Sequence, residues 1–330
     1  MFDLTLYHGR AEPRAPFSDV STKDLATLRV SRDKQFAVQC LTKAIPYCLD
    51  IANNRLIVAL ETDPHLAAKA PFHYQYLRDN CELYASLNWQ QVSQLLTPKI
   101  GPDPILLYSP GRCGSTLATQ MVGSKVTIAL SEPDYFTQIA QLTHAVRNRK
   151  LPGRPKKDIR NLSRALCLTT RLLLQPLQTH LPVLIKMRAR ANLAPLMLLQ
   201  VCRYTQKTIF LDRDFAPWFR SQHKAFSRSL NDALHTYKRA QVAKGLLNNT
   251  SDMLSINYGE LISEPLTSAA RLARHLGWPH STSHTQQAIQ NDSQKNTPLA
   301  RTELNKRDYI EPSLDDEQLY KAWQNFNNSH

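Results

Sequence analysis

The chain has 330 residues, 42% of them hydrophobic, and 41 Lys and Arg against 27 Asp and Glu give a formal net charge of +14. That apolar share supports a buried core and excludes a disordered chain, while 9 Gly and 20 Pro without any period exclude collagen-like and Gly-linker classes. No apolar run approaches the roughly 20 residues of a membrane span, and no internal repeat is visible.

The start MFDLTLYHGRAEPR lacks the continuous apolar stretch of a secretory signal. The six cysteines, Cys40, Cys48, Cys81, Cys113, Cys167 and Cys202, form no CxxC pair or metal-type cluster. They read as free thiols in a reducing compartment, which makes a cytoplasmic location the expectation. The charge excess points to an anionic partner such as a nucleotide, an acidic glycan or nucleic acid.

Residues 1–100 read as a mixed α+β lobe. CLDI and RLIVALE flank Ala52, Asn53 and Asn54, a β-hairpin signal because Asn tolerates positive φ. PFHYQYLRDNCELYASL and WQQVSQLL then show helical spacing. From residue 101 to 330 short apolar runs alternate with helical stretches. The runs lie at 105–108, 126–130, 183–187, 208–211 and 253–257, and the helices at 116–123, 160–178, 190–204, 215–245 and 259–276. This alternation predicts an α/β domain, a parallel sheet with helices on both faces. Nine basic residues between Arg147 and Arg171 face only Asp158. The stretch reads either as a solvated loop or as an electropositive rim that guides an anionic substrate.

The chemistry concentrates in PILLYSPGRCGSTL, residues 104–117: a buried strand, a glycine-containing turn, then a helix start near Ser115 and Thr116. Free N–H groups and the positive dipole end at a helix N-terminus suit a phosphate, and glycines let it approach the backbone. Arg112 adds a permanent charge in a fixed fork of donors. A kinase-type loop needs G-x-x-x-x-G-K-[ST]; here Gly111 and Gly114 are three apart and no Lys follows Gly114.

GRCGSTL resembles the 5′-phosphosulfate loop of the P-loop sulfotransferases, [KR]-S-G-T-T, with Arg112 in the basic position and Cys113, Gly114, Ser115 and Thr116 following. A second stretch, FLDRDFAPWFRS, is similar to the family's 3′-phosphate motif, a strand-end Arg and a Ser eight residues on, here Arg213 and Ser221. A third, SINYGELISEP followed by LGWP, is similar to the segment that places a Tyr, here Tyr258, near the adenine. The family's C-terminal nucleotide loop is absent, and residues 291–301 take its place, with Lys295 as a candidate phosphate contact.

The resemblance implies a bacterial-type sulfotransferase that uses 3′-phosphoadenosine 5′-phosphosulfate (PAPS) and needs no metal. Gly111 and the residues from Arg112 to Thr116, with Arg213, Ser221, Tyr258 and Lys295, would hold the nucleotide. Arg112 would stabilise the leaving phosphate, and Lys186, at the end of VLIKM, would add a second contact to the sulfuryl. Arg188 stands where one branch of the family has a basic His, and an Arg cannot accept a proton. Glu132, twenty residues after Arg112 as in the tyrosylprotein-sulfotransferase-like branch with its carboxylate base, is by that resemblance the candidate base, with Asp134 as the substitute and helix capping as the competing role for Glu132. Cys113 reads as a small loop residue, or else a reactive thiol beside Arg112. His144, His223 and His235 read as helix filler. The acceptor is a hydroxyl or amine compound, acidic or large if the basic stretch reaches it, and nucleic acid is not expected. The competing functions are a non-catalytic anion or nucleic-acid binder on the same fold and a divergent nucleotide kinase.

Overall fold

The computed structural model describes residues 4–9, 18–27, 38–98, 101–123, 127–148, 155–204, 206–291, 293, 295, 297–306 and 312–329. The N-terminal part forms an antiparallel sheet of β1 (Thr5–Gly9), β2 (Leu25–Thr27), β3 (Ile45–Asp50), β4 (Arg55–Ala59) and β5 (Leu83–Leu87), in the order β2-β1-β5-β4-β3. The expected hairpin joins β3 to β4. Asn54 takes φ 52°, and Asp50 accepts hydrogen bonds from the backbone and side chain of Asn53.

The helical spacing after residue 70 holds for α2 (His73–Asn80), which follows α1 (Pro64–Lys69), and for α3 (Trp89–Leu95), which follows the last strand of the sheet. Residues 83–87 are instead the central strand β5, with all five residues buried. Ala85 pairs with Leu6 on one side and Val58 on the other, so neighbours on both edges claim a short apolar run whose period alone does not decide its state.

The second sheet has β6 (Ile105–Tyr108), β7 (Ala129–Ser131), β8 (Leu184–Lys186), β9 (Lys207–Asp212) and β10 (Asp252–Asn257), all parallel in the order β10-β9-β6-β8-β7. Helices cover both faces, as the α/β reading requires. They are α4 (Ser115–Val122), α5 (Tyr135–Arg147), α6 (Pro155–Leu174), α7 (Pro195–Leu198), α8 (Phe215–Phe226), α9 (Leu230–Thr250), α10 (Tyr258–Ser263), α11 (Pro265–Leu276), α12 (Thr282–Gln290), α13 (Arg301–Asn305) and α14 (Asp316–Ser329).

Three expected helices are broken. Residues 190–204 become two 3-10 turns around the single turn of α7, where Pro195 removes a donor. Residues 215–245 divide into α8 and α9 at Ser227, which takes φ 51° before Ser229 caps α9. Residues 259–276 divide at Pro265, which opens α11.

The strand period of two sorts the core. Ile105 and Leu107 of β6 join the cluster under α4, α8 and α11, whereas Leu106 and Tyr108 join the cluster shared with the antiparallel sheet and α5. In β8, Leu184 faces the α4 side and Ile185 the other. Lys186 therefore returns to the α4 side, and this alternation aims a lysine at the phosphate-type loop. The N-terminal part is tied to the parallel sheet by polar bonds as well. Val20 donates to Asp134 at 2.8 Å, Leu49 to Gln138 at 2.8 Å, and Ser131 to the carbonyl of Pro71 at 2.6 Å. No described helix is long and apolar enough to cross a membrane, and all six cysteines are free.

Candidate active site

Between β6 and α4 the chain turns through three left-handed residues: Gly111 at φ 82°, Arg112 at 57° and Gly114 at 75°. Arg112 carries a cost there that the glycines escape. Side chains compensate by holding four consecutive loop carbonyls. Asn192 donates to the oxygen of Ser109 at 2.9 Å, and Gln222 to that of Pro110 at 3.4 Å. The Trp218 indole donates to the oxygen of Gly111 at 2.7 Å, and Arg213 to that of Arg112 at 3.3 Å. Trp218, Ser221 and Gln222 sit three and four residues apart on one face of α8, so a single helix face grips the loop. The N–H groups that open α4 have no intrahelical partners, and the residues that carry them, Ser115 and Thr116, line the cavity.

Gly114 has a second constraint. A Cβ there would lie 2.9 Å from both Leu261 Cδ2 and Tyr258 Cδ2. Gly114→Ala is therefore expected to cost about 2–4 kcal/mol of stability, from left-handed strain and overpacking together. Chemical denaturation reads the loss, and an unchanged midpoint would show that α10 does not press on the loop.

The loop opens into a cavity of about 420 Å³. Its described lining holds six cationic side chains, Arg112, Lys186, Arg188, Arg190, Arg213 and Arg228, against one carboxylate, Glu132. That imbalance suits an anionic ligand of nucleotide size. Three buried polar atoms on its lining residues also lack a hydrogen-bond partner: Tyr74 Oη, Arg213 Nε and Gln222 Oε1. Buried polar groups are normally satisfied, so these orphans are what a polar ligand would complete.

Two clusters stand out. In the first, Arg112 Nε donates to Ser221 Oγ at 3.1 Å, and the Arg213 guanidinium lies 4.3 Å from the centre of the Tyr258 ring. The backbone of Arg213 is pinned from both sides, its N–H donating to Asp212 and its carbonyl accepting from Tyr237 at 2.8 Å. In the second, Lys186 is 3% exposed, and Nζ reaches Thr116 Oγ1 at 3.0 Å, Ser131 Oγ at 3.0 Å and Glu132 Oε1 at 3.1 Å. An ammonium has three donors, and all three are engaged. The ring of Phe72 completes the surroundings, 5.4 Å from Nζ.

Glu132 takes φ 62°, and its N–H donates to the carbonyl of Lys186 at 2.8 Å. Asp134, not Glu132, stands before α5, so Glu132 caps no helix. Asp134 is no substitute base. Its side chain is fully buried, accepts from Val20 and from Arg188 at 2.8 Å, and does not line the cavity. Burial raises its pKa and Arg188 opposes the rise. Arg188 also lies 4.6 Å from the centre of the Tyr74 ring. Burial is the largest influence on Arg188 and disfavours its charge, yet Asp134, Tyr74 and Glu132 together outweigh it and raise the pKa.

Gly111, Arg112, Gly114, Ser115, Thr116, Glu132, Lys186, Arg213, Ser221 and Tyr258 all line one cavity. Besides Asp134, two candidates do not. Cys113 turns its thiol into the core, 0% exposed, where burial and then Asp212 push its pKa well up, which excludes the reactive-thiol reading. Lys295 is exposed and away from the lining, whereas Ser293 contributes to it. Asp292, Gln294 and Asn296 of the same stretch lie outside the described residues.

In the basic stretch, Arg149, Lys150 and Arg154, with the side chains of Lys156 and Lys157, lie outside the described residues. Its described residues do not line the cavity: Arg147, Arg160 and Arg164 are exposed elsewhere, and Arg171 donates to Thr97. The positive rim is made instead by Arg188, Arg190 and Arg228. His144, His223 and His235 also lie off the lining. Sequence reasoning missed Phe72, Tyr74, Ser131, Asn192, Trp218 and Gln222. Only Trp218 and Gln222 had a signal, their helical spacing around Ser221.

No family model matches the chain, and no curated protein matches it. Solved structures similar to it include the sulfotransferase domain from the curacin biosynthetic pathway, 13% identical, covering 69% of this chain and 92% of that one, with a TM-score of 0.40. Sulfotransferase STF1 from Mycobacterium tuberculosis H37Rv is 14% identical over 72% of this chain and 79% of its own, with a TM-score of 0.42. Retinol dehydratase in complex with androsterone and the inactive cofactor PAP is 12% identical over 91% and 94%, with a TM-score of 0.36. The chain is thus similar to solved sulfotransferases, and at this identity the likeness concerns the fold alone.

Proposed function

We propose that this chain is a sulfotransferase that moves a sulfuryl group from PAPS to a hydroxyl or amine of an acceptor. The observation that carries this reading is the pairing of the two clusters across one loop. Arg213, Ser221 and Arg112 stand together beside the aromatic Tyr258, which suits a nucleotide with a 3′-phosphate. Lys186, Thr116 and Glu132 stand at the opening of α4, which suits transfer from the 5′ end.

The acceptor oxygen or nitrogen attacks sulfur in line, and the bond from sulfur to the nucleotide's bridging oxygen breaks. The acceptor's proton passes to Glu132, and the charge that grows on the leaving phosphate meets Arg112 and the N–H groups of the loop. Lys186, with all its protons engaged, holds Glu132 and turns the Thr116 hydroxyl into a stronger donor toward the ligand. Catalysis on this reading is positioning and electrostatic stabilisation. A kinase reading has less support, because the loop lacks the lysine that follows the last glycine of a kinase-type loop.

Calorimetric titration tests the proposal. Adenosine 3′,5′-bisphosphate is expected to bind at micromolar concentration and more tightly than 5′-AMP or Mg-ATP. Arg213→Ala should weaken the bisphosphate by about ten- to hundredfold, the worth of a charge-assisted bond, and weaken 5′-AMP far less, through the lost hold on the Arg112 carbonyl. Equal affinity of the wild type for bisphosphate and 5′-AMP would remove both the donor and the role of Arg213.

A further inference from the structure

The same cavity holds two arginines, Arg228 and Arg190, that belong to neither of the two clusters described above. We propose that Arg228 and Arg190 form an acceptor subsite for an oxyanion, so that the acceptor carries a carboxylate, phosphate or sulfate next to an apolar body. The inference rests on the sulfotransferase reading and adds the substrate class to it.

Arg228 lies in the turn between α8 and α9, directly after the left-handed Ser227, and lines the cavity. Its carbonyl contacts His223 Nδ1 at 2.9 Å, and Nη1 donates to Thr236 Oγ1 at 2.6 Å. The guanidinium is thus anchored by one nitrogen and leaves the others to a ligand. Among the described residues no carboxylate lies within ion-pair distance of it; Asp232, whose field reaches it, is bonded to Ser229 at 2.8 Å. Burial, and then the fields of Arg190 and Arg239, lower its pKa despite Asp232. A half-buried cation facing two others calls for an anion.

Arg190 shares its carboxylate with a second guanidinium. It pairs with Asp19, but Asp19 also faces Arg188 at 3.3 Å. Phe226, which is 41% exposed, lines the cavity with Leu299 and Leu304 and offers an apolar wall beside the two arginines. An oxyanion can take two parallel bonds from a guanidinium, so the subsite fixes orientation as well as charge. The three residues of the donor cluster, Arg112, Arg213 and Ser221, stand on other elements, which leaves Arg228 and Arg190 to the acceptor.

The test uses a matched pair of probes, 4-hydroxyphenylacetate and its neutral amide, on protein saturated with adenosine 3′,5′-bisphosphate. Calorimetry at low salt is expected to show the carboxylate binding at least about tenfold more tightly than the amide, in line with a charge-assisted bond. Arg228→Gln should bring the ratio close to one, Arg190→Gln should reduce it, and both variants should keep the wild-type affinity for the bisphosphate. Equal or undetectable binding of both probes to the wild type, or a ratio retained in Arg228→Gln, would overturn the subsite. A tenfold loss of bisphosphate affinity in Arg228→Gln would also overturn it and assign that arginine to the donor. Failure of the donor reading shows separately, as absence of bisphosphate binding to the wild type.

Discussion

Lys186→Met should lower the rate of sulfuryl transfer by about 10²–10³-fold while changing affinity for adenosine 3′,5′-bisphosphate by no more than about threefold, as expected when the charge that supports a transition-state donor and the base is lost. The reason is the position of Nζ. Methionine fills much of the same volume beneath Phe72, so the packing survives. The positive charge among Thr116, Ser131 and Glu132 does not survive. Thr116 would lose the cation that polarises its hydroxyl, and Glu132 would keep only the more distant Arg188, 3.9 Å away. Ground-state binding of the nucleotide depends on the loop and on Arg213, which the change leaves alone. On the proposed function, turnover can be read before the acceptor is identified, as slow hydrolysis of labelled PAPS with water as the acceptor. Wild-type hydrolysis in Lys186→Met would remove this residue from the transfer step.

Much of this arrangement was legible in the sequence, and the gaps have physical causes. The run ILLY at 105–108 matches β6 residue for residue because a strand buried on both faces is apolar throughout. The loop that follows was readable from its glycines, and Arg213 and Ser221 from the resemblance of their stretch to a sulfotransferase phosphate motif. The partners of Lys186 were not readable. Thr116 and Ser131 reach it from α4 and β7, and the strand order that makes β7 and β8 neighbours is a property of the assembled sheet. Tyr74 enters the site from α2 and Phe72 from the position just before it, and no local pattern links them to residues more than a hundred positions away. Local pattern also misread β5, because tertiary pairing decides the state of a five-residue apolar run. The left-handed turn at Ser227, which divides α8 from α9 and presents Arg228, carries no glycine to announce it.

Glu132 gives the second large effect, and its backbone supplies a control. Glu132→Gln keeps the shape of the side chain but cannot take a proton, so transfer should fall by about 10²–10⁴-fold while bisphosphate affinity stays within about twofold. Full activity would mean that the base lies elsewhere. The residue's left-handed φ of 62° has a cost that the native pairing offsets. The Glu132 N–H is held by the carbonyl of Lys186, and its carboxylate by the ammonium of the same residue, so both ends of Glu132 are tied to one partner. Glutamine retains the backbone strain and loses the ion pair. Glycine loses the ion pair and releases the strain, worth about 1–3 kcal/mol. Glu132→Gly should therefore be as inactive as Glu132→Gln yet unfold at a higher denaturant concentration. A glycine variant less stable than the glutamine variant would show that the strand end stores no such strain. The inverse order, with activity absent in both, separates the two contributions: chemistry resides in the carboxylate, and the cost of presenting it resides in the backbone that aims it at Lys186.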